Sequence, residues 1–212
     1  MALVGSDPGA LTLHAVRLLG FADARQVARR FEQDVDETGE RLLDMEAMGW
    51  VSRSDFGGAG GWSLTDRGRR EGERRLALEL EAAAAGAAVA GVHERFLPQN
   101  ARFQDAVTRW QIRPLPGAPM ATNDHTDHRW DDHVLEVLGS VGRRLDRLET
   151  DLTAVLPRFG GYGRRYGRAL DGALRGEDRW VDGVGIDSCH VVWMQLHEDL
   201  LATLGIERGH ER

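Results

Sequence analysis

Apolar residues recur at positions 11, 13, 15, 16, 18 and 19, a spacing that predicts a short buried helix over Leu11–Leu19, ended by Gly20. A second helix is predicted over Ala22–Phe31, with Val27, Ala28 and Phe31 inward and Arg25, Arg29 and Arg30 outward. A third begins near Asp36, whose carboxylate suits an N-cap. It packs Leu42, Leu43, Met45, Ala47 and Met48 and closes at Gly49. The helical spacing then gives way. Gly49-Trp50-Val51 and Trp62-Ser63-Leu64 flank Gly57-Gly58-Ala59-Gly60-Gly61, small residues that permit a reversal, so the segment reads as a β-ribbon with Trp50 and Trp62 on one core. Thr65 caps the next helix, which runs through Leu76, Leu78 and Leu80 into the alanine-rich stretch up to Ala90. The helix propensity of alanine predicts one unbroken rod there.

Beyond it, a helix is predicted over Val92–Trp110, with Pro98 expected to kink or divide it. Pro114-Leu115-Pro116-Gly117-Ala118-Pro119 reads as a loop. A long amphipathic pattern then covers Asp127–Leu156, interrupted by Pro157 and Gly160-Gly161, and further helices follow over Tyr162–Leu174 and Asp187–Leu204. No internal repeat is visible. Three helices, a ribbon and a capped helix follow the order of a winged helix-turn-helix. The expected fold class is therefore mainly α. A winged helix-turn-helix with a small β-wing would occupy residues 1–80, and a C-terminal helical bundle for ligand binding and dimerisation would occupy 81–212.

Charge narrows the functional classes. The 212 residues carry a net charge of −7, and every one of the 27 basic residues is arginine. Residues 1–80 hold 11 Arg against 14 acids, so neither part has the basic footprint of a non-specific nucleic-acid binder. Any DNA contact must come from a local patch. The single Cys189 excludes an internal disulfide and fits a reducing compartment. Neither a membrane-length apolar run nor a secretory leader is evident, so a cytoplasmic protein without membrane contact is expected.

The segment over about residues 9–80 resembles the MarR and PadR families of regulators. The resemblance rests on Leu42-x-x-Met45-x-x-x-Gly49-Trp50-Val51 and on Trp62-Ser63-Leu64-Thr65-Asp66-Arg67-Gly68. It implies a homodimer on duplex DNA, with the third helix in the major groove and the wing on neighbouring phosphates. Carried onto this sequence, the DNA-binding residues would be Thr38, Arg41, Ser52, Arg53 and Arg67, with Arg25, Arg29 and Arg30 in support. One departure stands out. Asp34, Asp36, Glu37, Glu40, Asp44 and Glu46 surround the lone Arg41 on the presumed recognition helix and its approach, where they would repel a polyanion. A winged helix reused for protein interaction therefore stays open beside the DNA reading.

In the C-terminal region His190, Trp193, Met194, His197 and Leu201 share one helical stripe, and His93, Phe96, Asn100 and Phe103 another. Aromatic faces with a few polar tips suit a small-molecule site. The expected effector-binding residues are His93, Asn100, Trp110, Asp124, His190, Trp193 and His197. His190 and His197 lie about 10 Å apart along a helix, too far to share one ion. His93-Glu94 and Asp124-His125-Thr126-Asp127-His128 leave a metal open, the latter also reading as a helix start, but no metal ligand is assigned and no cofactor is expected. These segments, with Asn123-Asp124-His125, resemble a helical region of stand-alone winged-helix regulators and of the C-terminal extension of some pyruvate phosphate dikinase-like proteins. That likeness implies accessory or regulatory work. No nucleophile elbow or phosphate loop appears, so no catalytic residue is assigned, and a small enzyme using the His-lined pocket is the third alternative.

Overall fold

The computed structural model describes residues 6–56, 58–207 and 209. It is mainly helical with one two-stranded antiparallel sheet. The chain divides into two compact units. The first gathers residues up to Ala87, Val155–Arg158 and the chain from Glu198 onward; the second holds Ala88–Ala154 and Phe159–His197. The boundary expected at 80/81 falls inside a helix, and three segments of the expected second domain, 81–87, 155–158 and the chain from 198 onward, belong to the first unit.

In the first unit, helix α1 (Pro8–Leu19) starts where the Asp7 carboxylate accepts from the Ala10 amide, and it ends at Gly20, whose φ of 74° a side chain would oppose. Helix α2 (Ala24–Arg30) opens with a reciprocal capping box between Asp23 and Gln26. Helix α3 (Val35–Ala47) is capped by Asp34, which accepts from Glu37 N; Asp36, the expected cap, sits in the first turn. Strands β1 (Val51–Phe56) and β2 (Ala59–Leu64) pair with Val51 opposite Leu64 and Arg53 opposite Trp62. Gly58 has a φ of 84°, while Gly57 of the expected turn lies outside the described residues. Ala22 and Trp62 exchange both backbone hydrogen bonds, which ties the α1–α2 link to the hairpin. Trp62 is buried with Leu13, Val16, Val27, Leu42, Met45 and Val51, and Trp50 packs against the same cluster, as the ribbon reading expects.

Helix α4 (Asp66–Ala82) begins at Thr65, whose hydroxyl accepts from Gly68 N at 3.0 Å and donates to Gly49 O at 2.7 Å. The unbroken rod expected from alanine propensity is not what forms. The helix ends at Ala82, and α5 (Gly86–Gln111) starts afresh. Ala84 adopts a φ of 50° while its N–H reaches Glu81 O and that of Ala85 reaches Leu80 O. This is a Schellman close made with alanine where glycine is usual, at a cost of about 1 kcal/mol. Burial of Ala85, which is fully excluded from solvent, favours the turn over a propensity preference of a few tenths of a kcal/mol per residue.

The second unit is built on α5, α6 (His128–Thr153), α7 (Tyr162–Leu174), the short α8 (Arg179–Asp182) and the first half of α9 (Cys189–Leu204). Pro98 lies within α5 without dividing it. The proline-rich stretch is a loop, as expected, and Asp127 caps α6 through Trp130 N. Gly142 leaves room for Tyr166, since a Cβ there would lie 2.9 Å from its ring, and Tyr166 donates its hydroxyl to Leu138 O at 3.0 Å. Asp187, expected to begin the last helix, instead receives a two-pronged bond from Arg165 at 2.7 and 2.9 Å. Among the described residues no single helix is long and apolar enough to cross a membrane.

Candidate functional site

Three groupings of side chains carry the residues singled out from the sequence, together with several that sequence reasoning missed. The first is the outer surface of α3 and the hairpin. Asp34, Asp36, Glu37, Glu40, Asp44 and Glu46 are all exposed. Arg41, the one cation among them, donates to Glu37 at 2.7 Å. Ser52 and Arg53 are exposed on β1, with Arg53 lying over the Trp62 ring at 5.7 Å, and Arg67 is exposed at the start of α4. Thr38 must be corrected. It is fully buried and donates its hydroxyl to Asp34 O at 2.6 Å, so its side chain stabilises the start of α3 and is closed to any ligand. Arg30, expected outward, is likewise buried.

The second grouping lies in the second unit. Trp193 is sandwiched between Phe96 and Phe103, with ring centroids at 4.9 and 4.8 Å, and donates its indole N–H to Asn100 Oδ1 at 2.9 Å. His197 lies on Phe96 at 5.2 Å and His190 on Phe103 at 6.3 Å. Thus Asn100, His190, Trp193 and His197 do come together. The three rings rest directly on Phe96 and Phe103, and His93 is buried as well. Trp110 stands apart on His125, at 4.5 Å, beside Asn123 and Asp131. Asp124 is exposed and accepts from its own turn at Thr126. This arrangement packs a core. Cys189 is buried there, and burial pushes its thiol up to about 12, so it holds its proton and is a poor nucleophile. Among the described residues no three His, Cys, Asp or Glu side chains converge as metal ligands would.

The third grouping was not foreseen, because its members are scattered along the chain. Asp199 on α9 is wholly buried in the first unit. One of its oxygens accepts from His14 Nε2 at 2.9 Å and from Arg158 Nη1, and Arg30 Nη2 lies 3.8 Å from the other. Arg158 also donates to Glu79 at 2.6 Å and to Thr203 at 2.7 Å, while Arg17 bridges Glu73 and Glu198. Burial works against ionisation of Asp199, but the Arg158 charge, the hydrogen bond from His14 and the Arg30 charge outweigh it and hold the carboxyl well below the usual range. At His14 burial wins over the attraction of Asp199, with Arg158 and Arg30 adding to it, so the imidazole pKa falls below its ordinary value. The lowered pKa favours the neutral ring, whose Nε2 lies against both Asp199 and Arg158. His14, Glu79 and Arg158 also line a cavity of about 340 Å³ whose wall is predominantly apolar, with Leu11, Leu76 and Leu78 among its residues.

The His14 shift makes stability depend on pH. An unfolded chain takes up a proton at His14 near pH 6.5, and the folded chain does so only at lower pH, so the unfolded state binds more protons in between. Stability contributed by the neutral ring is therefore present above 6.5 and lost as pH falls through the folded value. Thermal midpoints at pH 7.5 and 5.5 should fall further apart in the natural chain than in His14→Gln. Equal slopes would contradict this.

Against protein-family models, curated proteins and solved structures the chain finds no match. Function must be argued from the residues themselves.

Proposed function

We propose that the first unit is a winged-helix-type recognition module. In this reading α1–α3 form the helical part and β1–β2 the wing, and the exposed face of α3 binds a basic protein partner in a regulatory or accessory role. The observation that carries this is the composition of that face. Its acids are joined by Val35, Leu43 and Met48, which are 41%, 48% and 39% exposed. Apolar anchors rimmed by charge of one sign are what a protein interface uses, with the charge steering a complementary partner. The same acids in a major groove would meet phosphates of like sign, and Thr38 is withdrawn from the surface.

A second reading keeps the MarR-like transcriptional regulator, a homodimer on operator DNA with an effector in its helical region. It is favoured by exposed arginines elsewhere on the unit: Arg25 and Arg29 on α2, Arg53 on the hairpin, and Arg67, Arg69 and Arg70 on α4. Fluorescence anisotropy with two probes separates the readings. An arginine-rich peptide should bind the full chain and lose most of its affinity to Leu43→Glu with Met48→Glu, while mixed-sequence duplex DNA at physiological salt stays unbound. DNA binding in the range of about 1 to 100 µM, weakened by Arg53→Ala, would instead establish the regulator.

A further inference from the structure

A two-stranded ribbon has two outer edges, and in this hairpin they differ. On β2, Trp62 exchanges both backbone hydrogen bonds with Ala22, so that edge is occupied there. In an antiparallel ladder the N–H and C=O of one residue point to the same side, and successive residues alternate between sides. Trp62 faces Ala22 and stands opposite Arg53, so the Arg53 peptide groups face away from β2. Those of Asp55, two residues on, face the same way. The amide of Arg53 reaches the Glu46 carboxylate at 3.3 Å, in keeping with that direction. Among the described residues no other group outside the hairpin bonds the backbone of Arg53 or Asp55.

Natural proteins blunt free edges with proline, lysine or a bulge. Strand β1 reads Val-Ser-Arg-Ser-Asp-Phe, and its register runs without a bulge from Val51–Leu64 to Phe56–Ala59. Ser52, Arg53, Ser54 and Asp55 are all exposed. Charge decides what pairs there. Two copies of this strand meeting about a two-fold axis centred on Arg53, or on Asp55, would set like charges opposite, which is unfavourable. Centred on Ser54, they set Arg53 opposite Asp55 of the second copy and Asp55 opposite Arg53 of the second copy. Hydrogen bonding selects the same centre. Arg53 and Asp55 both present their peptide groups outward, so each such pair exchanges two backbone bonds, while Ser54 meets its own copy as a non-bonded pair. A centre between two residues would set outward-facing peptide groups against inward-facing ones.

We propose that β1 is a self-complementary docking edge, through which two copies of this chain join their hairpins into one four-stranded antiparallel sheet with Ser54 on the two-fold axis. The contact uses the same patch on both copies and so closes at two. The Asp55 carbonyl of the second copy replaces the Glu46 carboxylate on Arg53 N. Arg53, whose guanidinium lies 5.7 Å over the Trp62 ring, shares its face of the strand with Asp55, so both ion pairs form on that face. The inference holds whether α3 binds a basic protein or DNA. Four backbone bonds and two exposed ion pairs make a small, transient interface, with an expected dissociation constant of about 0.1–1 mM.

Sedimentation equilibrium of the full chain at concentrations up to about 1 mM should fit a monomer–dimer equilibrium. Arg53→Asp alone and Asp55→Arg alone each set two like-charged pairs across the axis, and each should weaken association about tenfold or more. An equimolar mixture of these two variants should dimerise again, because every pair across the axis is then of opposite charge. The doubly exchanged chain should do so by itself. A second measurement reads the register. Facing non-bonded residues have Cα atoms about 4.5 Å apart, within disulfide range, so Ser54→Cys should form a disulfide-linked dimer under oxidised glutathione. Ser52→Cys, displaced from its own copy along the strand, should not, and the natural Cys189 is buried. A chain that stays monomeric throughout, single variants that associate like the natural chain, or a mixture that fails to recover the dimer would each overturn the proposal. So would Ser52→Cys linking as readily as Ser54→Cys.

Discussion

Asp199→Ala lowers the unfolding free energy of the chain by about 3–5 kcal/mol, the range seen when one partner of a buried ionic group is removed. The loss comes from what remains behind. Arg158 and Arg30 keep their charges in a region where Asp199 is wholly buried, and His14 loses its carboxylate partner. Glu79 still neutralises part of the Arg158 charge, which places the effect within that range and not above it. Urea unfolding followed by circular dichroism measures the change. Glu37→Ala is the matched control, because its pairing with Arg41 is exposed and worth at most about 1 kcal/mol. A cost for Asp199→Ala as small as that of the control would mean that water or relaxation compensates the buried cations.

Gly68→Ala is expected to be nearly as damaging, although it adds a single methyl group. A Cβ at this position would stand 1.8 Å from the carbonyl oxygen of Trp50, and that oxygen belongs to the backbone entering the hairpin. A flexible side chain could swing aside. A backbone carbonyl can retreat only if the entry to β1 moves away from the first turn of α4, which also breaks the Thr65 contacts that join the two. Overpacking with backbone displacement costs about 3 kcal/mol at its upper range. Loss of Trp50 and Trp62 burial should accompany it, read as a red shift in tryptophan emission. Gly72→Ala, where the nearest atom is the side-chain methyl of Leu13 at 3.7 Å, should be close to neutral.

The parts of the fold that were legible from sequence are those whose cause is local. The termination of α1 at Gly20, the cap at Thr65 and the span of α7 each depend on residues within a turn of one another. The break at Ala83–Ala85 was hidden because alanine favours the opposite outcome, while the burial of Ala85 and of Val89 and Val92 beyond it is not visible in local propensity. Thr38 misled for a related reason. A threonine on a presumed recognition helix reads as a contact, yet its hydroxyl satisfies a carbonyl one turn back, and nothing in the spacing reveals that its side chain faces inward. The aromatic stripe was correctly brought together, but periodicity reports which residues share a face and not whether the face is filled. His14, Arg158 and Asp199 were beyond reach, since they lie 144 and 41 positions apart along the chain.

The way the first unit collects its residues has a consequence for how the protein is made. Its buried acid, Asp199, and the guanidinium opposite, Arg158, are translated long after the helices they neutralise. The buried ionic group therefore closes only after residue 199 has been added to α1 through α4. The same dependence means that a fragment ending after α4 would carry the α3 surface without Arg158 and Asp199.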